Sequence, residues 1–309
     1  MNHNEMFLSQ SSFEELSCQK NKITAIIATS DSPLKTLAWS VLSLLLRSGD
    51  CVENVHVLIN GPVDNPLQDK KQLFLNKLRS AGLPITVQRV YGHVGHANAL
   101  DSMIPWVNTE FYLAMHDDLI VLDDDWTCWF NLMKDEDERE TAILYDPPFL
   151  MRGIGISEYE GGLKLALPHL NSTFMICRKS AFKEAGASWR GYHVRKKFNL
   201  MQWKDLISFL NYHIQRNHVT FDYKKYVEKD FDYLNVDIGG WAYYLLSKAG
   251  FKFSPIKSHS VYHLRAASWF EVSEQRFDQI SPITQDLEYQ IKQEIPEIFS
   301  CYCDYTAND

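Results

Sequence analysis

The chain has 309 residues, of which 45% are hydrophobic and 23% are charged, and its formal net charge at pH 7 is −8. This composition is typical of a folded soluble protein and excludes a disordered one. The acidic balance argues against a protein that binds nucleic acid through its phosphates, because such proteins carry an excess of lysine and arginine. We therefore expect no nucleic-acid partner.

The cysteines argue against a protein stabilised by zinc or disulfides, and the apolar segments argue against a membrane-spanning protein. The six cysteines include no C-x-x-C pair, which favours free thiols over a zinc site or a disulfide framework. Cys301 and Cys303 would share one side of a strand, but two thiols alone do not make a zinc site. The longest nearly apolar run, Leu37–Leu46, is interrupted by serines and has about half of the ~20 residues that span a bilayer. We expect no transmembrane segment and a cytoplasmic protein, with peripheral membrane association left open.

The first half of the chain alternates strands with helices. Strands are predicted over Ile23–Thr29, Val55–Asn60, Ile85–Val90 and Glu110–Met115, and the intervening helices over Leu34–Arg47, Gln68–Ala81 and Gly95–Val107. This alternation indicates an α/β domain with a mainly parallel sheet and right-handed crossovers. Ligands of such sheets bind beyond the carboxyl ends of the strands. We therefore expect the site in the loops 30–31, 60–64, 91–98 and 116–118.

The second half of the chain is less regular. Strands are predicted at Thr141–Tyr145, Ser172–Arg178, Phe251–Phe253 and Ser260–His263, and helices at Lys179–Gly186, Trp241–Ala249 and Gln285–Phe299. The segment Gly153–Gly162 is rich in glycine, which predicts a loop. The last predicted helix is amphipathic, so it either packs back onto the domain or forms an interface.

The sequence His116-Asp117-Asp118 follows directly after the strand predicted at Glu110–Met115. Adjacent carboxylates repel one another, so they need a cation, hydrogen bonds or water. A divalent cation bound to a nucleotide diphosphate would meet this need, because it takes oxygen ligands from both sides. The alternative is a solvated acidic turn that caps the next helix.

Three other positions could carry chemistry. The segment Gly92–Asn98 lies between a strand and a helix, where its glycines permit close approach of a ligand or serve as plain turn formers. Asp237 stands at a helix start beside two glycines and is either a general base or an N-cap. His263 ends a short strand and is either a metal ligand or a structural histidine.

Taken in order, these features resemble the glycosyltransferases of the GT-A fold, and among them the family 2-like inverting enzymes. The resemblance covers roughly residues 22–265. The matching segments are Ile26–Ser30, Leu58–Asp64, Gly95–Asn98, His116–Asp118, Asn171–Gly186, Asp237–Phe253 and Val261–His263. The resemblance implies a Rossmann-like, mainly parallel sheet flanked by helices, with a C-terminal subregion on the acceptor side.

The resemblance also implies roles for individual residues. Residues that would line the donor pocket are Thr29, Ser30, Asn60, Asp64, Gly95, Asn98 and Asp117. Asp118, with His263, would hold Mn²⁺ or Mg²⁺ on the diphosphate, and Asp237 would take the proton of the acceptor hydroxyl. The sequence departs from the family twice: His116 occupies the first position of the D-x-D motif, and the family's Glu-Asp pair is missing. Asp237 offers one carboxylate in its place, and Asp230 or Asp232 could substitute for the other.

The implied substrates are a nucleotide-diphosphate sugar, with UDP- or GDP-sugars favoured, and a hydroxyl acceptor on a glycan, a lipid-linked molecule or a protein. The implied regions are an N-terminal arm (1–21), a nucleotide-sugar-binding half (22–140), an acceptor-binding and catalytic half of the same domain (141–270) and a C-terminal helical tail (271–309). Two other readings stay open. One is a catalytically degenerate GT-A protein that binds a nucleotide or a glycan. The other is a sugar-1-phosphate nucleotidyltransferase, although the loop after the first strand lacks the glycine and basic residues of that class.

Overall fold

The fold is given by a computed structural model that describes residues 22–62, 64–128, 130, 140–145, 155–159, 162–166, 170, 172–190, 193–195, 233–236, 239–256, 260–264 and 274–306. Its strands are β1 (Ile23–Thr29), β2 (Val52–Gly61), β3 (Ile85–Tyr91), β4 (Phe111–Met115), β5 (Leu119–Val121), β6 (Glu140–Tyr145), β7 (Gly155–Tyr159), β8 (Gly162–Ala166), β9 (Phe174–Arg178), β10 (His193–Arg195), β11 (Tyr233–Val236), β12 (Lys252–Ile256) and β13 (Val261–His263). Its helices are α1 (Leu34–Leu46), α2 (Pro66–Ser80), α3 (His96–Met103), α4 (Lys179–Ala185), α5 (Gly240–Lys248), α6 (Glu274–Glu294) and α7 (Pro296–Thr306), with 3₁₀ turns at Gly49–Cys51 and Ile104–Trp106.

The main sheet has seven described strands in the order β12-β6-β9-β4-β1-β2-β3. All of them run parallel except β9, which is antiparallel to both of its neighbours, β4 and β6. The prediction of an α/β fold with a mainly parallel sheet is thus confirmed. The parallel strands β1, β2, β3 and β4 end at the same edge of the sheet, so the loops that follow them lie at that edge.

Helices cover both faces of the sheet, as the two-sided burial of β1 requires. Ile23, Ala25 and Ile27 belong to a core shared with α1, α2, α6 and α7. Ile26 and Ala28 point to the opposite face and belong to a second core with α3, α4 and α5. Because successive side chains of a strand point to opposite faces, an unbroken apolar strand serves both layers.

Two serines of α1 bind the backbone of β5. Ser40 Oγ accepts from the Leu119 N–H at 2.9 Å and donates to the Leu119 carbonyl at 2.6 Å. Ser43 Oγ accepts from the Val121 N–H at 3.0 Å. Serines that interrupt the apolar run of α1 therefore supply buried backbone groups of β5 with partners, and they fix β5 against the helix.

Three sequence-based predictions of secondary structure were wrong. The segment predicted as a loop at 153–162 contains β7, which pairs with β8 in a four-stranded sheet of order β10-β11-β8-β7. The predicted single helix at 285–299 is two helices, because Pro296 begins α7 and lacks the N–H that would continue α6. Cys301 and Cys303 lie in α7 rather than in a strand. Among the described helices, none is both long and apolar enough to cross a membrane.

Candidate functional site

The site centres on Asp118, which lies between β4 and β5 at the carboxyl edge of the sheet. The short strand β13 pairs antiparallel with β5 and places His263 opposite Leu119. The Leu264 N–H also donates to the Asp118 carbonyl at 2.9 Å. This pairing brings His263 beside Asp118 from 145 residues further along the chain.

His116, Asp118 and His263 form a cluster whose ligand atoms all lie within 4.8 Å of one another. Asp118 Oδ1 is 3.2 Å from His263 Nε2 and 3.8 Å from His116 Nδ1. Ligands about 2.1 Å from a common metal are themselves about 3.0–3.5 Å apart, so this donor set fits one divalent cation with a modest adjustment. The His116 and His263 side chains are 30% and 25% exposed, so a cation can reach the cluster from solvent.

The ionisation of the cluster also suits a cation. Burial, together with the nearby His96 and His263, lowers the pKa of His116 to about 3, against the opposing effect of Asp118. Burial alone would raise the pKa of Asp118, but the hydrogen bond with His263 and the electrostatic interactions with the neighbouring histidines lower it below its usual value. A neutral imidazole and an ionised carboxylate are the forms that ligate metals.

The hydroxyl of Ser172 contacts both His116 and His96. Its Oγ lies 3.2 Å from His116 Nε2 and 3.0 Å from His96 Nε2, and the rings of His96 and His116 meet edge to face at 4.9 Å between centroids. Since Ser172 contacts Nε2 of His116, it leaves Nδ1 directed to the side of Asp118. A hydrogen-bond partner on the second ring nitrogen commonly orients a metal-bound histidine.

A buried polar network lies below the neighbouring carboxylate, Asp117. The Ser32 hydroxyl donates to Asp117 Oδ2, and Ser32 Oγ lies 3.1 Å from Thr29 Oγ1. The amino group of Lys71, which is fully buried, donates to Thr29 Oγ1 at 2.8 Å, the Ser30 carbonyl at 2.6 Å and Ser32 Oγ at 3.3 Å. An ammonium group has three N–H donors, and Lys71 makes three hydrogen bonds here. The network fixes the loop after β1 against the loop after β4.

The other predicted donor residues lie at the same edge of the sheet. Asn60 is buried, and its Oδ1 accepts from the Val94 N–H at 2.9 Å, so it shapes the loop after β3. Asn98 is exposed and donates from Nδ2 to the Val94 carbonyl at 2.6 Å. Gly95 precedes α3 with φ of 76°, a backbone conformation that favours glycine. Asp64 is exposed after β2.

Asp237 lies outside the described residues, but Gly239, two positions on, is held tightly. Gly239 has φ of 76°, and a Cβ placed there would come within 2.2 Å of the Leu170 carbonyl oxygen. The Gly239 N–H donates to the Trp189 carbonyl, and the Gly239 carbonyl accepts from the Leu170 N–H, each at 3.3 Å. Because Leu170 is two residues from Ser172, the start of α5 is tied to the segment that contacts His96 and His116.

Four residues of the site were missing from the sequence prediction: His116 as a ligand, Lys71, Ser172 and His96. His116 departs from a motif in which all metal ligands are carboxylates. Its position between a buried strand and two aspartates is the signal that identifies it as a third metal ligand. The sequence around Lys71 does not mark it as a site residue. Its distinguishing feature is full burial on an amphipathic helix, and burial is known only from the structure.

No protein-family model and no curated protein matches the sequence. Among solved structures, S. aureus TarS 1–349 in complex with UDP aligns with 92% of this chain and 70% of its own, at 12% identity and a TM-score of 0.44. The chain spans only 50% of another TarS 1–349 structure and 30% of a longer TarS structure.

Two other solved structures align with the chain. The bifunctional glycosyltransferase WbbM aligns with 54% of this chain and 33% of its own, at 11% identity and a TM-score of 0.36. A Bacillus anthracis protein described as a glucose-1-phosphate thymidylyltransferase, solved with sucrose, aligns with 85% of this chain and 96% of its own, at 10% identity and a TM-score of 0.47. Since every one of these scores is below 0.5, we base the function on the residues of the site.

Proposed function

We propose that this protein is a glycosyltransferase that moves a sugar from a nucleotide-diphosphate donor to a hydroxyl acceptor with a divalent cation. The single observation that carries the proposal is the cluster of His116, Asp118 and His263 at the carboxyl edge of a mainly parallel sheet. That edge is where open α/β sheets bind their ligands, and the resemblance in motif order independently selects Asp118 and His263.

Each part of the site would have a distinct role in the transfer. His116, Asp118 and His263 would hold Mn²⁺ or Mg²⁺. A cation bound there supplies positive charge for the diphosphate that leaves, which an acidic protein otherwise lacks. The loops after β1, β2 and β3 would bind the nucleoside and the sugar. Asp117, fixed by Ser32, would keep the loop after β1 in place for donor binding.

We assign Asp237 as the general base for the acceptor hydroxyl. Its support is positional: Gly239 ties the start of α5 to Leu170, close in sequence to Ser172 at the metal cluster. A carboxylate at that point would take the proton as the hydroxyl oxygen bonds to the anomeric carbon and the nucleotide departs with inversion. The acceptor would then lie against residues 141–270, and the donor against residues 22–140.

The proposed donor and acceptor are those that the resemblance in motif order implies. A UDP- or GDP-sugar is the proposed donor, and a glycan, lipid-linked or protein hydroxyl is the proposed acceptor. The cytoplasmic location that we propose rests on the sequence, whose six cysteines include no C-x-x-C pair.

The test has a binding arm and a chemical arm. Thermal unfolding is measured with UDP-, GDP-, CDP- and dTDP-sugars, each with and without Mn²⁺, since a ligand of the native state raises stability by about 2.7 kcal/mol at 100-fold saturation. Purified Asp118→Asn and Asp237→Asn variants are then tested for sugar transfer and for donor hydrolysis. We expect a cation-dependent shift with one nucleotide family and loss of turnover in both variants.

Three results would contradict the proposal. Normal turnover in both variants would refute the assigned residues. Donor binding with neither transfer nor hydrolysis in the wild type would indicate a degenerate binding protein. Release of pyrophosphate from a nucleoside triphosphate and a sugar phosphate would indicate a nucleotidyltransferase. Asp125→Asn is the matched control, because Asp125 is an exposed carboxylate on the helical turn that follows β5.

A further inference from the structure

A cavity of about 640 Å³, with a lining of mixed polar and apolar character, opens at the amino-terminal ends of β1, β2 and β3, at the opposite edge of the sheet from Asp118. Its volume lies within the range of about 300–1,000 Å³ that is usual for small-molecule sites. Its lining includes Glu53, Asn54, His56, Gln88, Trp106 and Asn108. None of them belongs to the site proposed for transfer.

The cavity lies beyond the end of α3, which is shorter than the strands on which it packs. Its eight residues span about 12 Å, whereas the ten residues of β2 span about 33 Å. Apolar residues of α3 pack on Ile26 and Leu58, near the middle and carboxyl ends of the strands. Towards the amino ends the same sheet face carries Thr24 and His56, which are polar.

The lining offers neutral hydrogen-bonding groups in fixed positions. His56 is only 2% exposed and forms a side-chain hydrogen bond with Gln88. Thr86 Oγ1 donates to Asn54 Oδ1 at 3.2 Å. Thr109 Oγ1 lies 2.9 Å from Thr24 Oγ1 and donates to the Phe111 carbonyl at 2.7 Å. The carboxamides of Asn54, Gln88 and Asn108, which are half-buried or exposed, can donate to and accept from the hydroxyl groups of a ligand.

An exposed tryptophan stands beside these polar groups. Trp106 is 65% exposed although it ends a 3₁₀ turn next to the buried Val107. A large aromatic ring left in water beside this cavity provides a flat apolar surface together with one N–H donor. The apolar C–H face of a sugar ring fits such a surface, while its hydroxyls fit the carboxamides.

The charges of the cavity narrow the ligand class. Among the described lining residues none is a lysine or an arginine, and Glu53 is the carboxylate among them. Glu53 also pairs with Lys22 at 3.4 Å, so that lysine is already engaged. A phosphate or another anion would therefore meet a carboxylate without a matching cation in the lining.

We propose that this cavity is a binding site for a neutral saccharide, separate from the transfer site and independent of whether the protein is a transferase. Trp106 would stack on a sugar ring, and Asn54, Gln88 and Asn108 would bind its hydroxyls. A second saccharide site would hold a glycan chain on the protein at a point distant from Asp118.

The proposal is tested with a glycan array of neutral and acidic oligosaccharides, followed by saturation-transfer NMR and titration of the bound sugars. Trp106→Ala is expected to weaken binding about tenfold or more, because it removes the stacking surface, and Trp106→Phe is expected to retain much of the affinity. Tyr289→Ala is the matched control, since Tyr289 is a 63% exposed aromatic residue on α6. Asp118→Asn serves to separate this site from the transfer site.

Binding of neutral glycans that is lost in Trp106→Ala and kept in Tyr289→Ala and Asp118→Asn would support the saccharide site. Absence of bound glycans on the array would overturn it, as would equal binding to wild type and Trp106→Ala. A preference for acidic glycans would also overturn it. Loss of binding in Asp118→Asn, with Trp106→Ala unchanged, would assign the sugar to the transfer site and leave the proposed function intact.

Discussion

Ser40 and Leu119 bind each other through both backbone groups of the leucine: Ser40 Oγ accepts from the Leu119 N–H at 2.9 Å and donates to the Leu119 carbonyl at 2.6 Å. Leu119 follows Asp118 directly, and it is the partner of His263 across β5 and β13. One buried hydroxyl of α1 therefore fixes the strand from which the candidate metal cluster is built.

We expect the Ser40→Ala and Ser43→Ala variants to lose stability and metal affinity together. Each substitution leaves a buried N–H of β5 without its partner, which costs about 1–3 kcal/mol. The free energy of unfolding from urea titration and the Mn²⁺ affinity from calorimetry measure the two effects. Ser80→Ala, on the exposed side of α2, should change either value little. Unchanged Mn²⁺ affinity in both variants would show that β5 does not depend on α1 for its position.

Removing a ligand from the cluster should weaken metal binding. We expect His263→Ala to lower Mn²⁺ affinity at least tenfold, because losing even the partners that orient a ligand commonly costs 10–100-fold. Calorimetry or electron paramagnetic resonance on the nucleotide-free protein measures this directly. His93→Gln is the control, since His93 is exposed on the loop after β3. Equal affinity in wild type and His263→Ala would exclude His263 from the ligand set.

Metal choice should depend on His116. With two imidazoles and one carboxylate, the cluster favours Mn²⁺ over Mg²⁺, because Mg²⁺ prefers oxygen ligands. We expect His116→Asp to raise the affinity for Mg²⁺ relative to Mn²⁺ by replacing an imidazole with a carboxylate. Parallel titrations with the two metals give the ratio. A ratio that stays constant or moves towards Mn²⁺ would argue against ligation by His116.

The buried amino group of Lys71 should be needed for folding. Lys71→Met is expected to destabilise the protein by about 3 kcal/mol, because Thr29, Ser32 and the Ser30 carbonyl would lose a donor inside the protein. Chemical denaturation measures the change. Lys77→Met, on the exposed face of the same helix, is the matched control. If Lys71→Met lowers the free energy of unfolding by less than 1 kcal/mol, the network contributes little to stability.

Stability should fall in mild acid in part because of His56. Burial lowers the pKa of His56 below its usual 6.5, and the hydrogen bond with Gln88 opposes this only in part. Below pH 6.5 the unfolded chain therefore binds a proton that the native protein does not, so the free energy of unfolding decreases, by at most about 1.4 kcal/mol per pH unit for one histidine. Urea denaturation at pH 7.5 and 5.5 should show a smaller decrease for His56→Gln than for the wild type. Equal decreases would assign the acid sensitivity to other groups.

Much of the fold could be predicted because its signals are local. The runs that form β1, β2 and β3 contain several β-branched residues, the run that forms β4 consists of aromatic and other apolar residues, and segments with helical periodicity separate the four strands. The antiparallel insertion of β9 could not be predicted, because Phe174–Arg178 has the same composition as a parallel strand. Pairing direction depends on the path of the chain and leaves little trace in a short apolar run.

The site could be predicted only where residue order carried information. Asp118 and His263 came from motifs in a specific order along the chain, and the structure places them 3.2 Å apart. Ser40 and Lys71 could not be recognised in the same way. A serine in an apolar run and a lysine on an amphipathic helix have ordinary exposed counterparts, and only tertiary packing shows that these two are buried.

The distance along the chain between Asp118 and His263 has a consequence for biosynthesis. During translation at about 5–20 residues per second, the 145 residues that separate them take roughly 7–30 seconds to make. For that interval the nascent chain carries His116 and Asp118 without the third member of the cluster. Under the proposed function, a cation would be captured at full affinity only after β13 has paired with β5, so metal loading would follow completion of the sheet.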